Sequence, residues 1–166
     1  MARITLKGTP HQTVGELPSV GSAAPDFHLV DGDLNDIRLG AYKGKRKILT
    51  INPSFDTAVC AAAARKFNEQ AGSLDNAVVL AISADLPFAQ KRFCTAEGLE
   101  NVVPLSMMRS KNFAKDYGVL IQDGPLAGVA ARAIVVLDED DKVVHVELVE
   151  EIADEPDYSA AINSIR

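Results

Sequence analysis

The chain of 166 residues, with 47% hydrophobic and 24% charged side chains, is long enough to bury the core of one globular domain. Its formal net charge of -6 argues against nonspecific binding to nucleic acid or to an anionic membrane, because both need cationic patches. The longest uninterrupted apolar stretch, residues 77–82, is far too short to cross a bilayer, and the N-terminus has no apolar export signal. We therefore expect one domain over residues 1–166 in the cytoplasm. In that reducing compartment the two cysteines are more typical of catalysis, redox chemistry or metal binding than of a structural disulfide.

The first half of the chain predicts a hairpin, two short strands, and then a buried strand that leads directly into a helix. Alternating residues on both sides of residues 7–10 predict the hairpin, which forms an extension over residues 1–16. The next predicted elements are strands at 26–30 and 37–39, a buried strand at 46–52, and a helix from about 57 to 72. Four-residue spacing predicts the buried stripe of that helix, formed by Val59, Ala63, Phe67 and Ala71.

The second half alternates strands and helices and ends in a hairpin and a helix. The apolar run at 77–83 is typical of a central parallel strand that is covered on both faces. Asp85 is the predicted N-cap of the next helix, with Pro87 near its first position and Gly98 at its end. The remaining predicted elements are a weak strand at 102–105 that contains Pro104, a helix at 110–117, an edge segment at 119–121, a hairpin of strands 130–137 and 142–149, and a helix at 157–166. This order predicts an α/β fold with helices on both sides of one mixed sheet, and the thioredoxin-like arrangement is the natural candidate.

Cys60 is predicted to lie in the first turn of the helix that follows the strand at 46–52. Free backbone N–H groups and the positive end of the helix dipole favour an anion there, and a thiolate is an anion. An inert buried thiol is the alternative, since free cysteines are often small core residues. Thr57 shares a helix face with Cys60, so its hydroxyl could lie beside the sulfur, or it could simply cap the helix. Pro53 lacks an N–H, and its ring could shield the sulfur from water.

Several other chemistries lack the spacing that they need. The residue three positions after Cys60 is Ala63, so a Cys-x-x-Cys dithiol centre is not present. The two cysteines and the histidines His11, His28 and His145 show no zinc-ligand spacing, and no glycine-rich phosphate loop occurs. We therefore expect neither a metal nor a cofactor. A Cys-His hydrolase would need a histidine beside Cys60, and nothing in the sequence predicts one there.

The segment Pro53-Ser54-Phe55-Asp56-Thr57-Ala58-Val59-Cys60 contains the pattern Pro-x-x-x-Thr-x-x-Cys and resembles the active-site motif of peroxiredoxins. In its fuller form it is similar to the bacterial thiol peroxidase subfamily. The similarity continues in residues 83–94, which end in Cys94, and in segments 116–119, 123–128 and 131–133. It covers nearly the whole chain, including the N-terminal hairpin that marks this subfamily. The alanines at 61–64 replace the polar residues expected there.

This resemblance implies a role for each site residue. Cys60 is implied to be the peroxidatic cysteine, which a peroxide oxidises to a sulfenic acid, and Cys94 the resolving cysteine, which forms an intrachain disulfide with it. Thr57 and Arg132 are implied to orient the peroxide and stabilise the thiolate, with Pro53 as its shield. The resemblance further implies reduction of hydrogen peroxide and organic (alkyl or lipid) hydroperoxides, regeneration by thioredoxin, and a homodimer.

The two cysteines lie in different predicted helices, and a disulfide needs their β-carbons within about 4 Å. We therefore expect one or both helix ends to unwind during the cycle. A peroxide-responsive redox sensor that uses the same cysteine pair is the alternative function, and an inert thioredoxin-fold module with two buried thiols is a third possibility.

Arg132 has a physical reason to take part that does not depend on the resemblance. It interrupts an apolar run at 130–136 that predicts a strand, and a permanent cation there is costly unless it meets an anion. The alternative is an arginine on the solvent face of an edge strand. The acidic stretch at 150–155 is expected to be a solvated segment.

Overall fold

The computed structural model describes all residues from Met1 to Arg166, and its main feature is a seven-stranded sheet. The strands of this sheet are β3 (His28–Val30), β4 (Asp36–Arg38), β5 (Arg46–Ile51), β6 (Ala77–Ser83), β7 (Val102–Ser106), β9 (Ala133–Leu137) and β10 (Val143–Leu148). Their order across the sheet is β10-β9-β5-β6-β7-β3-β4. β6 is parallel to β5 and β7, and the other pairs are antiparallel, so the predicted mixed sheet is confirmed.

A smaller sheet contains the N-terminal hairpin. It has three strands, β1 (Arg3–Leu6), β2 (Thr9–Val14) and β8 (Leu120–Ile121), in the order β1-β2-β8. The predicted hairpin is therefore confirmed, with a turn at Lys7 and Gly8. Both residues have positive φ angles, 51° and 81°, the backbone that a two-residue hairpin turn requires.

Four α-helices cover the main sheet. They are α1 (Ala58–Ala71), α2 (Pro87–Glu97), α3 (Asn112–Asp116) and α4 (Tyr158–Asn163), and a 3-10 turn spans Leu39–Tyr42. Consecutive residues of the central strands enter different core clusters. Leu80 and Ile82 pack in the larger cluster, whereas Val79 and Ala81 pack in the smaller one together with Cys60. Since neighbouring side chains of a strand point to opposite faces, β6 is buried on both, as predicted. No helix in the structure combines the length and the apolar character needed to span a membrane.

The predicted buried stripe of α1 needs correction. The buried face of α1 consists of Cys60, Ala63, Ala64 and Phe67, whereas Val59 and Ala71 are only partly buried. The stripe is therefore rotated relative to the predicted one, because the helix turns the Cys60 side chain towards the sheet.

β7 is also a regular strand despite Pro104. It pairs along its whole length with β6 but meets β3 only at Ser106 opposite Val30. Because β7 forms a complete ladder with only one neighbouring strand, the N–H that Pro104 lacks is not required for pairing with a second one.

Candidate active site

Cys60 lies in the first turn of α1, which a loop of residues 52–57 connects to the end of the central strand β5. Its side chain is 0% exposed and packs in the smaller core cluster. Thr57 is the N-cap of α1, and its Oγ1 accepts a hydrogen bond from the backbone N–H of Cys60 at 3.4 Å. The Thr57 hydroxyl itself donates to the carbonyl of Ser54 at 3.0 Å. The cap therefore holds the first turn of α1, and with it the backbone of Cys60, against the preceding loop.

Arg132 lies beside the sulfur of Cys60. Its Nη1 is 3.0 Å from Cys60 Sγ, and the Arg132 residue is only 2% exposed. The same nitrogen donates to Asn52 Oδ1 at 3.4 Å, and Nε donates to the carbonyl of Ile152 at 2.9 Å. A permanently charged guanidinium held in this way stabilises negative charge on the sulfur. The alternative of a solvent-exposed arginine is wrong.

The structure corrects the predicted strand around Arg132. β9 begins at Ala133, so Arg132 precedes the strand and does not lie within it. The reason is that the preceding residues bind elsewhere: Ala130 pairs with Leu120, and Ala131 N–H donates to the carbonyl of Val119. The ladder with β5 can therefore start only after Arg132.

The acidic stretch at 150–155 is more than a solvated segment. Ile152 is 6% exposed, and its carbonyl accepts the hydrogen bond from Arg132 Nε. Glu151 Oε1 accepts from the backbone N–H of Gly8 at 2.9 Å and from the hydroxyl of Thr5 at 3.2 Å. The backbone N–H of Ala153, which donates to Oε2 at 3.1 Å, and then that of Gly8 lower the pKa of Glu151. The segment thus joins the N-terminal hairpin to the arginine.

A cavity of about 380 Å³ is lined by Arg132, whereas the fully buried Cys60 lies behind the wall and does not line it. Pro53, Thr57 and Arg132 form one part of its wall, so the structure brings these predicted residues together. The rest is mostly apolar and includes Leu6 from the hairpin, Val59, Leu126, Val129 and Ile152. Pro53 is itself buried. The cavity can hold an apolar ligand whose polar end contacts Arg132 and Thr57.

The prediction that Asp85 caps α2 is wrong. Asp85 binds the loop before Cys60 instead. The N-cap of α2 is Leu86, which has no side-chain cap and an extended backbone (φ -65°, ψ 147°), as expected for a residue that precedes a proline. The Asp85 carboxylate accepts from Ser54 Oγ at 2.7 Å and from Phe55 N–H at 2.8 Å. It also accepts from Ser83 Oγ at 2.7 Å.

Cys94 lies in α2, and the structure does not bring it into the cavity that Arg132 lines. Both thiols are free. Cys94 is half-buried and lines a different cavity of about 370 Å³. Burial raises the pKa of the Cys94 thiol to about 11. The residue before it, Phe93, stacks on Phe55 with ring centroids 5.3 Å apart.

Sequence reasoning missed the roles of Asn52, Asp85 and Ile152. A signal existed for the first two, because polar residues that end neighbouring parallel strands meet at one edge of a sheet. Asn52 follows β5 and Asp85 follows β6. No such signal exists for Ile152, which acts through its backbone carbonyl.

Comparisons with known proteins agree with this fold. The family described as Redoxin matches residues 19–162. A curated thiol peroxidase of Mycobacterium bovis is 55% identical over 165 residues, which cover 99% of each chain. The crystal structure of a peroxiredoxin-like protein from Aquifex aeolicus superposes with a TM-score of 0.94 at 39% identity and covers 99% of this chain and 96% of its own. A thiol peroxidase from Chromobacterium violaceum reaches a TM-score of 0.90 at 26% identity, with coverage of 97% and 93%.

Proposed function

The chain belongs to the Redoxin family as a thiol peroxidase of the peroxiredoxin type, and we propose that Cys60 is the residue that attacks the peroxide. The observation that carries this assignment is the buried pair of Cys60 Sγ and Arg132 Nη1, 3.0 Å apart at the start of a helix. A buried cation needs an anionic partner, and a thiolate at a helix N-terminus provides one.

In the proposed first step the Cys60 thiolate attacks the terminal oxygen of the hydroperoxide. An S–O bond forms while the O–O bond breaks, the sulfur becomes a sulfenic acid, and the second oxygen leaves as an alcohol or water after it takes up a proton. Negative charge develops on that leaving oxygen. Arg132 lines the cavity wall, so its guanidinium can stabilise that charge, and the Thr57 hydroxyl can do so if it turns away from the Ser54 carbonyl.

We propose that the substrates are hydrogen peroxide and organic hydroperoxides, including alkyl and lipid hydroperoxides. The support is the composition of the cavity, whose wall away from Arg132 consists mainly of apolar side chains such as Leu126 and Val129. An alkyl group that leaves water for this wall gains about 25 cal/mol per Å² of buried apolar surface. Hydrogen peroxide has no such group.

In the proposed second step Cys94 attacks the sulfenic sulfur of Cys60 as a thiolate. The S–S bond forms, hydroxide leaves, and the proton lost by Cys94 completes a water molecule. In the folded helix the Cys94 thiol keeps its proton, since burial raises its pKa to about 11. We therefore propose that α2 unwinds around Cys94, and that the first turn of α1 also opens, before the disulfide forms.

The remaining parts of the proposal concern partners and context. Thioredoxin would reduce the disulfide by thiol exchange and become oxidised itself. Two free thiols fit the reducing cytoplasm.

A homodimer would cover the exposed apolar side chains Leu86 and Phe88 at the start of α2, which are 53% and 63% exposed. Residues 1–166 would form one domain, with the hairpin of residues 1–16 as an extension that contributes Leu6 to the cavity.

A coupled assay tests the proposed function. The protein is supplied with thioredoxin, thioredoxin reductase and NADPH, and NADPH loss is followed after addition of hydrogen peroxide or cumene hydroperoxide. We expect sustained turnover with both, and none for Cys60→Ser. Oxidation of one equivalent per chain followed by arrest would favour the redox sensor instead, and no loss of the Cys60 thiol would reject both functions.

A further inference from the structure

A chain of hydrogen bonds connects the loop before Cys60 with the helix that carries Cys94. It begins at Gln90, a residue of α2 that is 0% exposed. Gln90 Nε2 donates to Ser83 Oγ at 2.9 Å and to the carbonyl of Leu105 at 3.0 Å. The Ser83 hydroxyl has one proton, and it donates that proton to Asp85 at 2.7 Å. The α2 side of the chain therefore ends on the Asp85 carboxylate.

The other side of the carboxylate binds the Cys60 loop. Asp85 Oδ1 accepts from Ser54 Oγ at 2.7 Å, and Oδ2 accepts from Phe55 N–H at 2.8 Å. An ionised carboxylate only accepts, and hydrogen bonds to it are short and strong. All three groups around Asp85 donate. One side chain thus joins the end of β6, the start of α2 and the loop that leads to Cys60.

An aromatic contact makes a second link between the same two segments. Phe55 is 4% exposed, and its ring stacks on Phe93 with an interplanar angle of 19°. Phe93 directly precedes Cys94. Because Asp85 holds the backbone of Phe55 and Phe93 holds its ring, a rearrangement of the Cys60 loop or of α2 would disturb contacts of the other.

We propose that Asp85 is a positioning residue that couples the conformation of the Cys60 loop to the folding of α2 around Cys94, an inference that rests on the proposed peroxidase cycle. While bonded, Asp85 keeps the loop in the arrangement that presents Cys60 to peroxide and keeps Cys94 within its helix. When these bonds break, both segments open together and the disulfide can form. Asp85 thereby sets how long the sulfenic acid persists, and so how readily a second peroxide donates an oxygen to it and converts it to sulfinic acid.

The first test does not require peroxidase activity. In a Cys60→Ser background the only thiol is Cys94, and its alkylation by iodoacetamide reports the opening of α2. We expect Asp85→Asn and Ser54→Ala to speed this alkylation by roughly three- to tenfold, the effect of losing about one hydrogen bond. Ser54→Ala is the sharper variant, because Ser54 lies in the Cys60 loop and outside α2.

Asp56→Asn is the matched control. It removes one negative charge, as Asp85→Asn does, and lies in the same loop as Ser54, but the Asp56 side chain is exposed and outside the Asp85 network. Its alkylation rate should equal that of Cys60→Ser alone. The proposed coupling is wrong if Ser54→Ala and Asp85→Asn also alkylate at that rate. It is equally wrong if Asp56→Asn accelerates as much as they do, because any substitution near the Cys60 loop would then be enough.

The second test uses the protein with both cysteines. Rapid quenching and mass spectrometry separate the sulfenic, disulfide and sulfinic forms after addition of peroxide. We expect Asp85→Asn to slow sulfenic acid formation but to speed disulfide formation, so that less sulfinic acid accumulates at high peroxide concentration. A residue with a merely structural role would slow both steps, and that result would overturn the proposal. If Asp85→Asn does not fold, Ser54→Ala should show the same opposite changes in smaller measure. Failure of the proposed function would appear in the unsubstituted chain as an absence of sulfenic acid, and the alkylation test would still decide the coupling.

Discussion

Arg132 Nη1 lies 3.0 Å from Cys60 Sγ in the interior of the protein, where the two residues are 2% and 0% exposed. The contact accounts for the burial of both residues, because a buried guanidinium is costly without an anion and a buried thiolate is costly without a cation. The hydrogen bonds of Arg132 to Asn52 and Ile152 fix the plane of the guanidinium, so the pair is organised before any substrate arrives.

We predict that Arg132→Lys slows the oxidation of Cys60 by about 10²- to 10³-fold, the usual effect of removing one group that stabilises developing charge. Lysine keeps the positive charge but not the planar fork that reaches Cys60, Asn52 and Ile152 together. Single-turnover loss of the Cys60 thiol measures the rate. Arg38→Lys, at an exposed arginine of β4, is the control and should react normally. Equal rates for Arg132→Lys and the unsubstituted chain would show that charge alone suffices.

Thr57→Val and Thr57→Ser should differ in unfolding free energy and in the rate of peroxide reduction. Valine removes both the N-cap of α1 and the hydroxyl in the cavity wall, so we expect a loss of about 1 kcal/mol in unfolding free energy together with slower peroxide reduction. Serine keeps the oxygen and should restore both. Urea unfolding and single-turnover oxidation measure the two effects. If Thr57→Val lowers the unfolding free energy but its Cys60 is oxidised at the normal rate, Thr57 acts only as the N-cap of α1.

Substitution of each cysteine should stop the catalytic cycle at a different step. Cys60→Ser should consume no peroxide, whereas Cys94→Ser should reduce one equivalent per chain and then stop in the presence of thioredoxin. The physical reason is that the first electron pair comes from Cys60, and Cys94 acts only on the resulting sulfenic acid. Mass spectrometry of the product counts the oxygen gained. Sustained turnover by Cys94→Ser with thioredoxin would reject the resolving role of Cys94.

The raised pKa of Cys94 predicts a pH dependence of stability. Folding raises this pKa from its ordinary value of 9.0 to about 11, so the unfolded chain loses the proton first as the pH rises. The folded protein should therefore lose stability between about pH 9 and pH 11 and show no contribution from this group below pH 9. Urea unfolding of Cys60→Ser is compared with that of the Cys60→Ser, Cys94→Ser double variant. Parallel pH profiles of the two proteins would contradict the prediction.

Leu126→Asn should reduce the preference for bulky organic peroxides. Asparagine is close to leucine in size but removes apolar surface from the cavity wall, so we expect kcat/KM for cumene hydroperoxide to fall by roughly fivefold, equivalent to about 1 kcal/mol of lost apolar burial. Hydrogen peroxide is the internal control, because it has no alkyl group and should react at a nearly unchanged rate. A parallel fall for both substrates would mean that the substitution disturbs the Cys60 loop itself.

Local patterns in the sequence were sufficient to predict most of the elements. The apolar run at 77–83 matches β6, and the hairpin of β9 and β10 surrounds the acidic turn that the sequence indicates. The errors lie where contacts from elsewhere in the chain override the local pattern. Asp85 binds Ser54, which is 31 positions away, and does not cap α2, which begins after Leu86.

The sequence by itself determined that Cys60 begins a helix after a buried strand and that Thr57 lies beside that first turn, because both depend only on residues within a few positions of one another. The family resemblance pointed to Arg132, but only the tertiary structure gave its contact with the sulfur and showed what holds the loop in place. Arg132 is 72 positions from Cys60, and Asp85 is 31 positions from Ser54. Such contacts depend on the order and register of β5, β6 and β9 across the sheet, and no local periodicity encodes that order.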